Sequence, residues 1–317
     1  MRSFLIELLF RDWNKMKNKN TFGIIMLLIT SIIWGLAFVF QRMGMDHIEP
    51  ITFNAVRMSA GAIFVVIVCI IRDFKTKNNK PNPNHEESCA KSTLIGGIGC
   101  GLFLTAASLI QQVGLVYTTA GKAGFITAMY MLFVPILNLI IFKVNGSAKT
   151  WISVVIGMVG MYLLCVKEEL VLGLGDALVF VCAILFAGHI LWCDRFAPKS
   201  DAIKMSAIQF IVAASLSWVI SFIFESPSID KIVSAIVPIL YCGIVSGGIG
   251  YTLQIVGQKY VAPASASLIM SLESVFAVIA GVLFINESMT LQEVFGCIIL
   301  FAAIILVQLP SKTKQRT

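Results

Sequence analysis

The chain is 317 residues long, 58% hydrophobic and only 13% charged, with a mean hydropathy of +0.89 and a formal net charge of +7. Soluble domains carry about 25% charged residues, so a water-soluble globule of this length is excluded for want of polar surface. The positive balance does not indicate nucleic acid, because the basic residues lie between apolar segments rather than on one patch; juxtamembrane anchoring accounts for it.

In chain order, residues 1–21 read as a cytoplasmic tail. Leu5, Leu8, Leu9 and Trp13 fall on one side of a short interfacial helix, and a start at Met16 is the open alternative. The apolar run 4–10 is broken by Glu7 and lacks a small-residue cleavage site, so it is not a signal peptide. A spanning helix needs about 20 apolar residues. Ten such stretches follow, at 22–43, 51–71, 94–117, 121–142, 150–166, 176–196, 203–224, 233–256, 264–285 and 291–309. Turn formers and charges separate them: Asp46 to Pro50, the polar stretch 72–92, Gly173-Leu174-Gly175, Ser226-Pro227-Ser228 and Ala262-Pro263. Residues 311–317 form a C-terminal tail. Irregular backbone cannot face lipid, so the spans are helices and the fold class is all-α integral membrane. With the N-terminus in the cytoplasm, Arg42, Lys122, Lys167 and Lys231 are the only basic residues at the outside and Arg57 alone lies deep within a span, out of 24 Lys and Arg. Both termini are therefore expected to be cytoplasmic.

The chain also resembles itself. A shift of 143 residues sets Gln111 against Gln254, Gly114 against Gly257, Tyr117 against Tyr260, Ala123 against Ala266 and Phe133 against Phe276. Nearer the start of each half, a shift of 152 pairs Gly23 with Gly175, Trp34 with Phe186 and Arg57 with Gln209. Each half, 22–166 and 167–310, holds five spans. An odd number forces the second half to enter the membrane upside down, giving two inverted five-helix repeats, an arrangement associated with secondary carriers whose site lies at the repeat interface.

Ile33-Trp34-Gly35-Leu36-Ala37-Phe38 in the first span, Pro50, Phe53 and Arg57 around the second, and 112–120 (Gln-Val-Gly-Leu-Val-Tyr-Thr-Thr-Ala) resemble motifs of one family. So does the stretch 251–290, with Gln254, Gln258, Pro263, Ala264, Ser267, Leu268, Leu272, Glu273, Phe276, Gly281 and Glu287 in order. The chain is similar to EamA-type members of the drug/metabolite transporter superfamily over about residues 22–310. His189 and the long polar stretch 72–92 depart from the pattern. The resemblance implies a ten-helix inverted-repeat carrier in the cytoplasmic membrane, taking a small-molecule substrate and no cofactor. Efflux of an amino acid or related metabolite is the leading expectation. Uptake of a vitamin or cofactor precursor is the alternative, and a non-transporting receptor or scaffold is the reading of another class.

The candidate substrate and proton residues are Glu273, His189, Tyr130, Trp34, Arg57, Gln112, Gln209 and Gln254. A carboxylate near mid-bilayer costs about 3 kcal/mol on insertion scales, so Glu273 calls for a function, against the alternative of a hydrogen-bonded strut. Arg57 suits a substrate carboxylate or a structural clamp, and the clamp is favoured. His189 is a coupled-proton or substrate candidate, against a satisfied hydrogen-bonding residue. Tyr130, the repeat mate of Glu273, and Trp34 suit an aromatic wall or helix packing. The glutamines Gln111, Gln112, Gln209 and Gln254 need partners in the membrane. Gly97/Gly101 and Gly243/Gly247 read as points of close helix approach.

No enzyme is expected. Gly173-Leu174-Gly175-Asp176 has an intramembrane aspartyl-protease pattern, but no second aspartate lies deep within a span to share a proton, Asp194 standing at the far end of the same span. His-Glu-x-x-His and a phosphate-binding Gly-x-x-x-x-Gly-Lys are absent from the sequence. The eight cysteines show no Cys-x-x-Cys spacing and the three histidines are scattered, so neither a disulfide framework nor a metal site is expected.

Overall fold

The computed structural model describes residues 18–76, 83–118, 120–165, 173–285 and 290–309. The tails, the Met16 alternative and Glu287 lie outside them. Ten spans are present: α1 (Lys19–Met45), α2 (Pro50–Thr76), α3 (Pro83–Tyr117), α4 (Ala120–Ala128 continued by Tyr130–Phe142), α5 (Ala148–Cys165), α6 (Leu174–Phe196), α7 (Ala202–Phe224), α8 (Ile229–Ser234, Ile236–Leu240, Tyr241–Tyr251 and Thr252–Gln258), α9 (Pro263–Met270 and Glu273–Ile285) and α10 (Leu291–Gln308). Among the described residues nine helices are long and apolar enough to cross a bilayer, and a tenth, Ala148–Leu164, is shorter. This is an all-helical, multi-pass membrane fold.

Local chemistry fixes the helix starts. Asn18 Oδ1 accepts from Thr21 N at 3.2 Å, and Asp201 Oδ1 accepts from Ile203 N and Lys204 N, both at 3.0 Å. Thr290 and Glu293 close a capping box on α10. Pro50 and Pro263 open α2 and α9, where a missing N–H costs nothing. One boundary departs from the sequence reading. The polar stretch 72–92 was expected to be a loop, yet α2 runs to Thr76 and α3 starts at Pro83. No Gly or Pro occurs between Pro83 and Gly96, so nothing local stops the helix from extending beyond the apolar segment.

The helices pack with a two-fold pattern. α3 lies on α6 as α8 lies on α1, and α4 meets α6 as α9 meets α1. The α2–α7 and α5–α10 pairs map onto themselves. The glycines paired by sequence shift become two equivalent crossings. A Cβ on Gly175 would stand 2.8 Å from Gly114 O, and one on Gly23 would stand 2.8 Å from Gly257 O. Gly97 and Gly101 on α3 face Ile208 and Val212 of α7 at 2.6 and 2.7 Å by the same measure, and Gly243 faces Ala60 and Arg57 O of α2 at 2.6 Å. These positions must stay small for the backbones to approach.

Polar groups gather at the two ends of the bundle. At one end Arg72 bonds Asp201 at 2.7 Å, Lys204 bonds Asp73 at 2.9 Å, and Lys259 Nζ donates to Ser200 O at 2.7 Å. At the other, Lys231 pairs with Glu49, and Glu225 accepts from Ile51 N and Thr52 N at the start of α2. Between these ends, large apolar side chains such as Ile63, Ile67, Val219 and Phe222 stand exposed on the outer faces, as lipid contact requires.

Candidate functional site

Three spans lose regular α-helix near their middles. α4 breaks at Met129 and α9 at Ser271–Leu272, so Tyr130 and Glu273 each open a second helical piece. These two residues are 143 apart, the repeat shift itself, and the Tyr130 hydroxyl donates to Glu273 Oε1 at 3.1 Å. Both are buried, at 2% and 4% exposure. The third irregular span is α8, whose Tyr241–Tyr251 stretch is a π-helix containing four glycines. Single-turn π features inside α-helices often mark functional sites, and here hydroxyls and an indole also reach the carbonyls of the segment. Trp34 Nε1 donates to Ser246 O at 3.1 Å, Thr252 Oγ1 donates to Gly248 O at 2.6 Å, and Thr30 Oγ1 shares its one proton between Met26 O at 3.0 Å and Gly250 O at 3.2 Å.

A cavity opens between these irregular segments. Its middle is lined by Trp34, Phe186, Tyr130, Tyr251 and Glu273. Trp34 and Phe186 are the pair matched by the shift of 152, so mates from the two halves face one space. Tyr251 is the aromatic hub, with ring centroids 4.7 Å from Trp34, 5.7 Å from His189 and 5.8 Å from Phe210. Towards the α2 start the lining includes Gln41, Arg57, Gln111 and Cys242; towards the α8 end it includes His189 and Gln254.

Arg57 is 7% exposed. Its Nε and Nη2 donate to Asn54 Oδ1 at 3.1 and 2.8 Å, and its guanidinium lies 5.8 Å from the Phe53 ring centroid. Asn54 in turn donates to Ser217 Oγ at 3.0 Å. These contacts are all neutral, so among the described residues the guanidinium is held but its charge is not matched by a carboxylate. It shares the cavity with Glu273 without forming an ion pair to it.

The other candidates divide. Gln254 and its mate Gln111 both line the cavity, one towards each end. Gln111 Nε2 donates to Thr127 Oγ1 at 3.1 Å; the position matching Thr127 in the second half is Met270, and the Gln254 carbonyl oxygen is buried with no partner. Gln209 does not line the cavity. Its Oε1 lies 3.1 Å from His189 Nε2, one layer behind. Gln112 is also away from the cavity, fully buried, with neither amide atom bonded. Asp176 holds the start of α6, accepting from Gly173 N at 3.0 Å and from the Thr118 hydroxyl, at one end of the bundle and far along α6 from His189.

Sequence reasoning passed over Tyr251 and Gln41. Tyr251 lies three residues before Gln254 and Gln41 seven after Trp34, helical spacings that put each on the face of a residue already singled out. That spacing was the available signal.

The family described as "EamA-like transporter family" matches residues 21–166 and 173–309. An uncharacterized transporter of Archaeoglobus fulgidus is 26% identical over 287 residues, covering 89% of this chain and 84% of that protein. The uncharacterized transporter YoaV of Bacillus subtilis is 24% identical over 283 residues, covering 88% and 94%. A crystal structure 16% identical covers 90% of this chain and 96% of its own with a TM-score of 0.72, a likeness of fold.

Proposed function

Because the chain belongs to the EamA-like transporter family, we propose that it is a secondary carrier for a small zwitterionic solute, an amino acid or related metabolite, working by alternating access and exporting it across the cytoplasmic membrane. The observation that carries this reading is the presence of Arg57 and Glu273 in one cavity without an ion pair between them. A solute with a carboxylate and an ammonium gives each charge its counterpart. Two charges left unmatched in low dielectric are expensive, and a bound zwitterion offsets that cost at both ends at once. The aromatic walls of Trp34, Tyr130 and Tyr251 suit an apolar side chain between the charges.

The two repeats, 22–166 and 167–310, rock against each other about the Tyr130–Glu273 contact, with both termini on the cytoplasmic side. The breaks in α4 and α9 and the π segment of α8 support this motion, since irregular backbone beside a cavity is where carriers bend. A proton coupled through Glu273 or His189 belongs to the same reading. The test is counterflow in liposomes holding the purified protein, with a panel of amino acids, their decarboxylated amines and their deaminated acids. Accumulation of a zwitterion in preference to both of its one-charge analogues is expected. Failure of every zwitterion to exchange, with protein shown to be folded and inserted, removes the reading.

A further inference from the structure

Behind the cavity, a chain of hydrogen bonds runs from the π segment of α8 through α7 to His189 on α6. Thr252 Oγ1 donates to Gly248 O at 2.6 Å. A hydroxyl has one proton, so at the 2.7 Å contact between Ser206 Oγ and Thr252 Oγ1 the donor must be Ser206. Ser206 then has no proton left and accepts from Gln209 Nε2, a long contact of 3.5 Å. This fixes the amide. Turned over, Gln209 would set its carbonyl oxygen against a serine oxygen with no proton to offer. Gln209 Oε1 therefore faces His189 Nε2 at 3.1 Å, and since an amide oxygen only accepts, Nε2 carries the imidazole proton. All five groups are buried: Ser206 and Gln209 are 0% exposed, His189 is 1%, and Thr252 and Gly248 are buried as well.

We propose that Gln209, set by Ser206 and Thr252, is a positioning residue that holds His189 in the Nε2–H tautomer, so that Nδ1 offers a lone pair to an N–H of the solute's ammonium. Three observations carry it. The donor order along the chain allows one arrangement. His189 lines the cavity, and its Nδ1 has no hydrogen-bond partner among the described residues. A second acceptor of the same lining, Gln254 Oε1, is also without one, on a side chain 1% exposed. With Glu273 at its middle, the cavity presents three acceptor side chains to one ligand. The partner that satisfies several acceptors at once is a primary ammonium, which has three donors, and not a quaternary one, which has none. The tautomer of a histidine is set by the bond its other nitrogen makes, and here that bond is dictated from a backbone carbonyl of the π segment. The proposal deepens the carrier reading and rests on it for the identity of the cavity's occupant.

The test is ¹⁵N NMR of the full chain in lipid nanodiscs, labelled at histidine, with His189→Gln assigning the resonance. Wild type at neutral pH should show His189 with a protonated Nε2 and a bare, pyridine-type Nδ1. In Thr252→Val, Ser206 regains a proton to donate, the Gln209 amide is no longer held in one orientation, and an Nδ1–H population should appear beside the Nε2–H form. Thr252→Ser should restore the wild-type pattern. Addition of ethylammonium should move the Nδ1 resonance saturably, whereas tetramethylammonium, of the same charge without an N–H, should not. A protonated Nδ1 in wild type, an unchanged tautomer in a folded Thr252→Val protein, or equal or absent responses to the two cations would overturn the proposal. These readouts need no transport. A failed counterflow panel with the expected NMR pattern removes the carrier reading alone, and the converse removes this proposal alone.

Discussion

Replacing Glu273 by Gln separates the charge of the site from its architecture. The glutamine carbonyl oxygen still accepts from Tyr130, so the 3.1 Å contact that joins α4 to α9 survives and the protein should insert and fold. What is lost is the anion. A hydrogen bond to a charged group contributes about 1.5–3 kcal/mol and a neutral one about 0.5–1.5 kcal/mol. An ammonium held by the glutamine amide is therefore weaker by about 1–2 kcal/mol, which lowers affinity roughly five- to thirtyfold. If Glu273 also carries a proton, turnover falls further because Gln does not titrate. Glu273→Asp keeps the carboxylate and should retain part of the activity. The assay is solute affinity by calorimetry and initial rate in liposomes, with size-exclusion chromatography as the folding control. A well-folded Glu273→Gln protein with wild-type affinity and rate from pH 5.5 to 8 would refute the reasoning and return Glu273 to the role of a strut.

Four further outcomes are expected. Gly296→Ala places a Cβ 2.6 Å from Leu164 N and 2.7 Å from Gly160 O, both backbone atoms, so α5 and α10 must part; a loss of about 1–3 kcal/mol should appear as a lower Tm in detergent, and an unchanged Tm would contradict the close crossing. Burial is the largest influence on the Asp201 carboxyl and would raise it, but the hydrogen bond and charge of Arg72, together with the Lys204 N–H and ammonium, outweigh it and hold the group below the usual aspartate range. Its stabilisation is therefore present above about pH 4 and is lost as pH falls through the depressed value. Asp201→Asn should lower Tm at pH 6 and narrow the gap to wild type towards pH 3; an equal gap throughout would contradict it. Trp34→Phe removes the indole donor to Ser246 O and should cost about 0.5–1.5 kcal/mol, read as a lower Tm. Single cysteines at Asp46 and Ser226, in a cysteine-free background, should react with an impermeant thiol reagent from outside the cell, and those at Ser147 and Lys199 should not; outside labelling of Lys199 would reverse the orientation drawn from the Lys and Arg distribution.

The amino-acid sequence by itself determined the class, the ten spans and the pairing of positions between halves, because the bilayer imposes a length of apolar residues that no soluble context demands. It even marked Gly23, Gly114, Gly175 and Gly257 as related, and Tyr130 as the mate of Glu273. The tertiary structure decided which of these meet. A residue touches its own mate only beside the two-fold axis, so the Tyr130–Glu273 bond reports where that axis runs, which a one-dimensional shift does not contain. The start of α3 at Pro83 escaped the apolar pattern because hydropathy marks the membrane and not the end of the helix. The π segment Tyr241–Tyr251 escaped it as well: its mate 98–108 is equally apolar, with two glycines against four, yet is regular α-helix. Trp34 and Thr30 of α1, more than two hundred residues away in sequence, place donors against this segment, contacts that a one-dimensional pattern does not contain. Gln209 and Gln112 looked alike as buried amides in apolar helices. Only packing placed one behind His189 and the other away from the cavity, because the direction of a side chain around a helix acquires meaning when the neighbouring helices are in place.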